Sequence, residues 1–417
     1  MTEQDDATMS EPPALDAIAH DYVTLAFGIE RHLEGVVDAF YGPPEVRTEA
    51  LAGDVPAPGV LFAAAEALGA RIVSAALPEH RVAYLLAQVR ALATICRTLA
   101  GESIPYREEV RLLFEIEATR TADRVYDEAI AKLDDALPGD GSTAERMIAW
   151  RRGFEITPEQ AQSLIDVIAA EARRRTAAIV TLPDDERVTV EFVQDKPWSG
   201  YNWYLGAGRS RVELNTDLPL RANTLLGLIC HEAYPGHHSE NAIKERYRYR
   251  ERGYGEHAIL LINTPECLIA EGIATLAEGI IFPPDEVEAW KATHVYAPVG
   301  ITVDPARETQ IAAAQRDLES VAANAALLLH EDGAPEEEAV AYLMRYGLAS
   351  ETEARQRLRF IASPQWRGYI FTYHAGRQLL GAWLQQGDQT PRFAALLHDQ
   401  FTPSAIARKL DAKPTNS

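Results

Sequence analysis

The sequence predicts a mostly α-helical protein with one small antiparallel β-sheet near the middle of the chain. Between about residues 14 and 182, apolar residues recur every three or four positions, as in amphipathic helices. The spacing changes to alternation in "RVTVEFVQ" (187–194), which is typical of a half-buried strand. From residue 219 to about 410 the helical spacing returns. These three observations define the fold class.

The boundaries of the elements follow from the residues between them. The N-terminal helical segments are separated by "YGPPE", "AGDVPAPG", "AGESIP", "LPGDGS" and "LPDDE", which are rich in Gly, Pro and Asp. A second extended stretch, "YNWYLGAGRSRVELNTD", follows the first strand. We therefore expect a small sheet over 187–216, with an edge near 210–216 beside a cleft. No linker interrupts the chain, so we expect one domain over 14–410 between tails at 1–13 and 411–417.

Composition and charge limit the class of protein. The 417 residues include 62 acidic and 40 basic side chains, and the resulting net charge of −22 disfavours nucleic acid and anionic membranes as partners. The start, "MTEQDDATMSEPP", lacks the basic and apolar regions of a secretory signal, and no run approaches the length of a membrane span. Three scattered cysteines fit a reducing compartment. We expect a cytoplasmic protein, in which any metal is bound by His and carboxylate groups.

The motif "HEAYPGHH" (231–238) nearly matches the zinc-binding pattern H-E-x-x-H, but Pro235 stands where the second histidine should be. Proline lacks an N–H group and clashes with the carbonyl four residues earlier, so the helix should kink or restart here. Gly236 permits the unusual backbone that such a break requires.

The break determines which histidines can share a metal. It favours His231 with His237 as ligands, and His238 is the substitute because it lies further along a straight helix. Glu232 is the candidate base. The alternative is a group of histidines that only cap or pack at a helix end.

A second segment, "NTPECLIAEGIATLAEGI", offers a third ligand. Thr264 is a suitable N-cap and Pro265 suits the first helical position, so a helix should begin there. Glu271, Thr275 and Glu278 then form one polar stripe on an otherwise apolar helix. Glu271 is the candidate metal ligand, and the alternative is a stripe that faces solvent.

A third segment, "WRGYIFTYHAGRQLLGAW", carries candidate substrate contacts. Tyr373 and Arg377 share a helix face and are suited to an oxyanion donor and a clamp for a substrate carboxylate. His374 in the same segment and Asn215 after the second strand complete the candidate substrate-binding residues. The alternative for Tyr373 is a buried, hydrogen-bonded tyrosine of the core.

With the three segments together, the sequence resembles the bacterial family catalogued as domain of unknown function 885. Members carry patterns like H-E-x-x-P-G-H-H-x-Q, E-G-W-A-L-Y-A-E and Y-x-x-G, which correspond here to "HEAYPGHHSE", "EGIATLAEG" and "YHAG". The similarity is clearest from about 190 to 395. This family looks distantly similar to the helical carboxypeptidases resembling the Taq enzyme, which are α-rich gluzincins with a deep cleft.

The resemblance implies a helical gluzincin-like fold and specific roles for the motif residues. The implied roles are metal ligand for His231, His237 and Glu271, base for Glu232, and cleft residue for Tyr373. The chain departs from the family at Glu240, where a glutamine is usual, and at Ile273 and Leu276, where Trp and Tyr are usual. These departures bear on substrate preference more than on metal binding.

We expect a zinc-dependent hydrolase of short peptides, such as a carboxypeptidase, that uses metal-activated water and a glutamate base. Another divalent metal is the alternative to zinc. Two other functions stay open. One is metal-dependent hydrolysis of a non-peptide amide, and the other is a catalytically silent helical binding protein. The presence of Glu232 weakens the silent alternative, because a scaffold that only holds a metal does not need that base.

Overall fold

The computed structural model describes residues 11–196 and 198–412, and it confirms the mostly α-helical fold with a small sheet. The expected tails at 1–13 and 411–417 lie largely outside the described residues. The helices in chain order are α1 Ala17–Glu30, α2 Pro44–Ala50, α3 Pro58–Ser74, α4 Glu79–Leu99, α5 Tyr106–Phe114, α6 Asp123–Ala136, α7 Thr143–Arg152, α8 Pro158–Thr176, α9 Ala222–Glu232, α10 His237–Ile243, α11 Pro265–Ile281, α12 Val287–Lys291, α13 Pro305–Arg316, α14 Val321–His330, α15 Glu336–Gly347, α16 Glu351–Ala362, α17 Ile370–Leu384, α18 Gln389–His398 and α19 Pro403–Asp411. A π-helical segment, Lys244–Glu251, continues α10.

The sheet lies where the alternating pattern predicts it, and its strand order adds detail. The strands are β1 Val37–Phe40, β2 Glu155–Ile156, β3 Arg187–Val193, β4 Gly200–Gly206, β5 Arg209–Asn215, β6 Leu220–Arg221 and β7 Ile259–Leu261. β5 is central, antiparallel to β4 and parallel to β3, so this three-stranded sheet is mixed. The second extended stretch is a hairpin that turns at Ala207 and Gly208, which have φ values of 54° and 66°. The expected edge near 210–216 is therefore wrong, because the hairpin places β4 outside β5.

Four of the strands are short and pair across long sequence separations. β1 pairs with β7, and β2 pairs with β6, both antiparallel. All four lie in regions whose sequence pattern predicts helices. Strands of two to four residues are too short to show a period, so only the folded chain reveals them.

Helix α4 satisfies the length and hydropathy criteria for a membrane span, with a mean hydropathy of 1.3. Of its most apolar window, 61% is buried inside the protein. Its buried side chains include Leu85, Leu92 and Ile95, which belong to the core. Burial of this kind is the pattern of a core helix.

Two large apolar clusters form most of the core, and α11 and α17 contribute to both. Leu268 and Phe371 belong to the first cluster, which includes the N-terminal helices. Ile273 and Leu380 belong to the second, which includes α8 and α9. The two shared helices therefore connect the clusters, and they carry the second and third motifs.

The crossing of α11 and α17 depends on two glycines. A Cβ atom on Gly272 would lie 2.8 Å from the carbonyl oxygen of Gly376, and one on Gly376 would lie 2.6 Å from the carbonyl oxygen of Leu268. Any side chain larger than hydrogen would push the helices apart. The contact brings Glu271, next to Gly272, close to Tyr373, nearly one turn before Gly376.

Candidate metal centre

The Pro-Gly pair breaks the helix, as its sequence predicts. α9 ends at Glu232, α10 begins at His237, and the Tyr234–Pro235 peptide bond between them is cis. The N–H of Gly236 donates to the carbonyl of Cys230 at 3.0 Å. A Cβ at Gly236 would lie 1.9 Å from the carbonyl oxygen of His231, so only glycine fits this close approach. The tight connection returns the chain towards His231.

Three predicted ligands converge from three helices. Nε2 of His231 lies 3.3 Å from Oε2 of Glu271, and Nε2 of His237 lies 3.6 Å from Oε1 of the same carboxylate. The two imidazole rings are 4.8 Å apart at their centroids. One ligand atom from each residue lies within 4.8 Å of the others. The three side chains thus surround one common point.

The chemistry of this set fits a divalent metal. Two imidazoles and one carboxylate form a ligand set found in catalytic zinc sites. Oε2 of Glu271 is buried and has no hydrogen-bond partner within the described residues. Burial opposes ionisation, but the attraction of the nearby His231 and His237 holds the pKa of Glu271 well below its usual range. The residue therefore stays an anionic donor.

Neighbouring groups orient the ligands. The hydroxyl of Tyr369 donates to Oε1 of Glu271 at 2.7 Å. Oε2 of Glu240 lies 3.9 Å from Nδ1 of His237, which is long for a hydrogen bond but close enough for attraction. Despite the opposing effect of burial, Glu240 and Glu271 raise the pKa of His237 well above its usual value. Such outer groups fix the direction of metal ligands.

Glu232, the candidate base, lines the same cavity as the three candidate ligands. It is only 5% exposed, and its burial raises its pKa although His231 and His237 oppose the shift. Nδ2 of Asn202 in β4 donates to the main-chain oxygen of Glu232 at 2.7 Å. A Cβ on Gly200 would lie 3.2 Å from Oε1 of Glu232. β4 therefore runs directly beside the carboxylate and leaves room for it.

Tyr373 lies near His231 and carries a hydroxyl group that can donate a hydrogen bond. Its ring centroid is 6.4 Å from that of His231 and 5.8 Å from that of Tyr369. Burial and the charges of Glu271 and Glu232 raise its pKa well above 10.0. The hydroxyl therefore keeps its proton and can donate a hydrogen bond to developing negative charge.

Four other predicted site residues lie elsewhere. His238 is buried and binds Ser210 Oγ and Glu186 Oε2, each at 2.8 Å, so it is not available as the substitute ligand. The three predicted substrate-binding residues, Arg377, His374 and Asn215, do not line the cavity within the described part of the chain.

Each of these three has a local contact instead. Arg377 pairs with Glu319 at 2.8 Å. His374 is 8% exposed and packs beside Phe371. Asn215 donates to the carbonyls of Lys196 and Trp198, each at 2.9 Å, and so steadies the residues before β4.

The ligands, Glu232 and Tyr373 line one common cavity. Sequence reasoning missed Asp38, Tyr201 and Asn202, and gave Tyr369 no role, although all four line this cavity. The sequence could have indicated Tyr369, because a residue four positions before Tyr373 lies on the same face of a helix. Asp38 had no such signal, because β1 reaches the cavity through contacts with β7 and β4, which lie far along the chain.

No family model and no curated protein matches the chain. A solved structure described as "the putative lipoprotein from Colwellia psychrerythraea" matches 96% of this chain and 77% of its own, at 16% identity and a TM-score of 0.53. A second structure, described as "a putative lipoprotein of unknown function from Shewanella oneidensis", matches 88% of this chain and 76% of its own, at 12% identity and a TM-score of 0.48. A third structure, described as "BsuCP Crystal Structure", matches 94% of this chain and 90% of its own, at 13% identity and a TM-score of 0.41. The Colwellia structure shows a shared fold alone, and the other two support no conclusion.

Proposed function

We propose that this protein is a zinc-dependent hydrolase of short peptides. The observation that supports the proposal is the convergence of His231, His237 and Glu271 within 4.8 Å, beside the buried carboxylate of Glu232. The resemblance to domain of unknown function 885 and to the helical carboxypeptidases is in agreement with this proposal. Another divalent ion can occupy the same ligand set.

The proposed chemistry assigns separate roles to the metal and the side chains. A divalent metal in such a site lowers the pKa of water and polarises a carbonyl group. Glu232 accepts a proton at its carboxylate, whose raised pKa brings it closer to neutral pH. Tyr373 donates a hydrogen bond to the oxyanion that forms from the substrate carbonyl.

Arg377, the expected clamp for a substrate carboxylate, does not line the cavity, so this residue gives the carboxypeptidase mode no support. Arg377 pairs with Glu319. Within the described residues, no arginine lines the cavity. We therefore propose peptide hydrolysis without assigning the carboxyl end of the substrate to this residue.

Two variants test the proposal, because one should lose activity alone and the other should lose both zinc and activity. Glu232→Gln keeps the shape but removes the base, so it should retain zinc and lose about 10²- to 10⁴-fold in rate. His237→Ala should lose zinc and activity together. Zinc content by elemental analysis and hydrolysis of di- and tripeptides are measured on the same samples. Glu128→Gln, at a side chain 66% exposed on α6, is the matched control and should keep both.

Unchanged hydrolysis by Glu232→Gln would contradict the mechanism. Retention of zinc by His237→Ala would contradict the ligand assignment. A zinc-loaded wild type that hydrolyses no peptide would overturn the proposal and favour a non-peptide amide substrate or a silent binding protein.

A further inference from the structure

Asp38 is a charged group of the cavity that the proposed chemistry does not use. It lies in β1, lines the same cavity as the three ligands, and accepts a hydrogen bond from the Tyr201 hydroxyl. Within the described residues, it forms no ion pair with a lysine, arginine or histidine. Burial raises its pKa to about 6, although Tyr201 opposes the shift. A partly buried carboxylate without a counter-charge is costly, so a ligand that supplies one is favoured.

Lys244 in the cavity lining, and Arg248 four residues later, already have acidic partners. Lys244 is 2% exposed and donates to the carboxylates of both Glu240 and Glu266. Arg248 lies 3.8 Å from Glu266. His257 is held uncharged, because burial lowers its pKa well below its usual value. The positive charges of Lys244 and Arg248 therefore balance the negative charges of Glu240 and Glu266. No positive charge is left over for Asp38.

The acidic groups at the metal site are also balanced once the proposed function is accepted. Glu271 and Glu232 together carry two negative charges beside a divalent ion. Asp38 then keeps a negative charge that nothing in the lining of the cavity cancels. The charge that the cavity lacks is positive.

Aromatic rings line the same cavity as this carboxylate, and one of them, Tyr201, binds it. Tyr201, which binds Asp38, packs 4.8 Å from Trp198. Trp366 lies 5.3 Å from Tyr369, and all of these rings line the cavity. Aromatic faces beside a carboxylate are a recurring way to bind an ammonium group, because the ring faces carry negative charge.

We propose that Asp38 binds a primary ammonium group of the substrate against the aromatic wall of Trp198, Tyr201 and Trp366. This proposal rests on the proposed peptide hydrolysis and deepens it. Asp38 lies close enough to His237 and Glu232 for their charges to act on it. The ammonium group therefore sits near the reacting bond, as the α-amine of a peptide cut near its N-terminus or as a lysine side chain next to the cut.

The test compares three peptides on the zinc-loaded protein. They are Ala-Ala-Ala, its N-acetyl form, and N-acetyl-Lys-Ala-Ala. Wild type should prefer trialanine to its N-acetyl form by about ten- to a hundredfold in kcat/KM, the range of one charged hydrogen bond. Restored activity on the lysine peptide assigns the site to a side-chain amine, and low activity assigns it to the α-amine.

Asp38→Asn keeps the shape and can still accept the Tyr201 hydrogen bond, but it removes the charge. It should abolish the preference by slowing trialanine and sparing the N-acetyl form. Tyr201→Phe keeps the carboxylate and the ring but removes the hydrogen bond to Asp38, so it should reduce the preference less than Asp38→Asn does. Asp127→Asn, whose side chain is 57% exposed on α6, is the matched control and should behave as wild type. An equal slowing of both peptides by Asp38→Asn, or no preference in wild type, would overturn the proposal.

A binding measurement separates this proposal from the proposed function. Calorimetry compares the binding of trialanine and N-acetyl-trialanine to wild type and to Asp38→Asn. If no peptide is hydrolysed but Asp38→Asn selectively weakens trialanine binding, the ammonium site stands and the proposed hydrolysis fails. If hydrolysis proceeds with no dependence on the amine, the proposed function stands and the ammonium site fails.

Discussion

Tyr373 on α17 and Tyr369 just before it lie near the same ligands, yet their replacement should have different effects. Tyr373→Phe removes the proposed oxyanion donor and should lower kcat by about 10²- to 10³-fold while zinc stays bound. Tyr369→Phe removes the hydrogen bond to Glu271 and should weaken zinc by about ten- to a hundredfold. Zinc affinity by chelator competition and kcat at saturating zinc distinguish them. Loss of zinc in Tyr373→Phe would contradict its assignment as a donor.

Residues of the site could be predicted from sequence where the cause is local. The clash of Pro235 with the preceding turn and the freedom of Gly236 predict a break, and with it the choice of His237 over His238. Asp38 could not be predicted, because its position depends on pairing between residues more than two hundred positions apart. Arg377 shows the opposite error, since its spacing from Tyr373 places it on a suitable face but not in the cavity.

At the scale of elements, the crossing of α11 and α17 should be sensitive to one methyl group. Gly376→Ala would place a Cβ 2.6 Å from the Leu268 carbonyl oxygen, so the helices must separate. We expect a loss of about 1–3 kcal/mol in the free energy of unfolding, as for overpacked cores, together with lower activity. Urea unfolding and peptide hydrolysis measure the two effects.

Gly279→Ala, on the partner helix α11, is the control. A Cβ there meets nothing within 4 Å, so the change should stabilise α11 by about 0.5–1 kcal/mol. If both alanine variants behaved alike, the close crossing would not explain the role of Gly376.

The elements themselves were predictable where end signals are strong. α11 begins at Pro265 after Thr264, as the cap signal predicts, although the Thr264 side chain makes no capping hydrogen bond. The polar stripe on α11 does not simply face solvent, because Glu271 is buried in the cavity wall. The mixed pairing of β3, β4 and β5 could not be predicted, since alternation identifies strands but not their neighbours.

At the scale of the whole molecule, Glu353 joins distant parts of the chain. Its carboxylate pairs with Arg221 at 2.7 Å and accepts from the Ser350 N–H at 2.9 Å. Burial by itself would raise its pKa, but the combined effect of these partners is larger and lowers the pKa to about 2. A depressed pKa stabilises the fold above the unfolded value of 4.5, and this contribution is lost as pH falls from 4.5 towards 2.

Glu353→Gln should therefore lower the free energy of unfolding by roughly 1–3 kcal/mol at pH 7 while keeping the capping geometry. The difference from wild type should shrink as the pH is lowered below 4.5 in urea unfolding experiments. Glu337→Gln, at a side chain 72% exposed, is the control and should match wild type at each pH. A difference for Glu353→Gln that does not change with pH would mean that shape, and not charge, is responsible.

The glycine contact between α11 and α17 has a consequence for how this protein can diverge. Backbone atoms, and not side chains, set the distance between the helices that carry Glu271 and Tyr373. Substitutions of wall residues away from this contact, such as Trp198 or Trp366, leave this pair in place, provided that Gly272 and Gly376 stay. Substitutions in the cavity wall can therefore change which substrates fit, while Glu271 and Tyr373 keep their spacing.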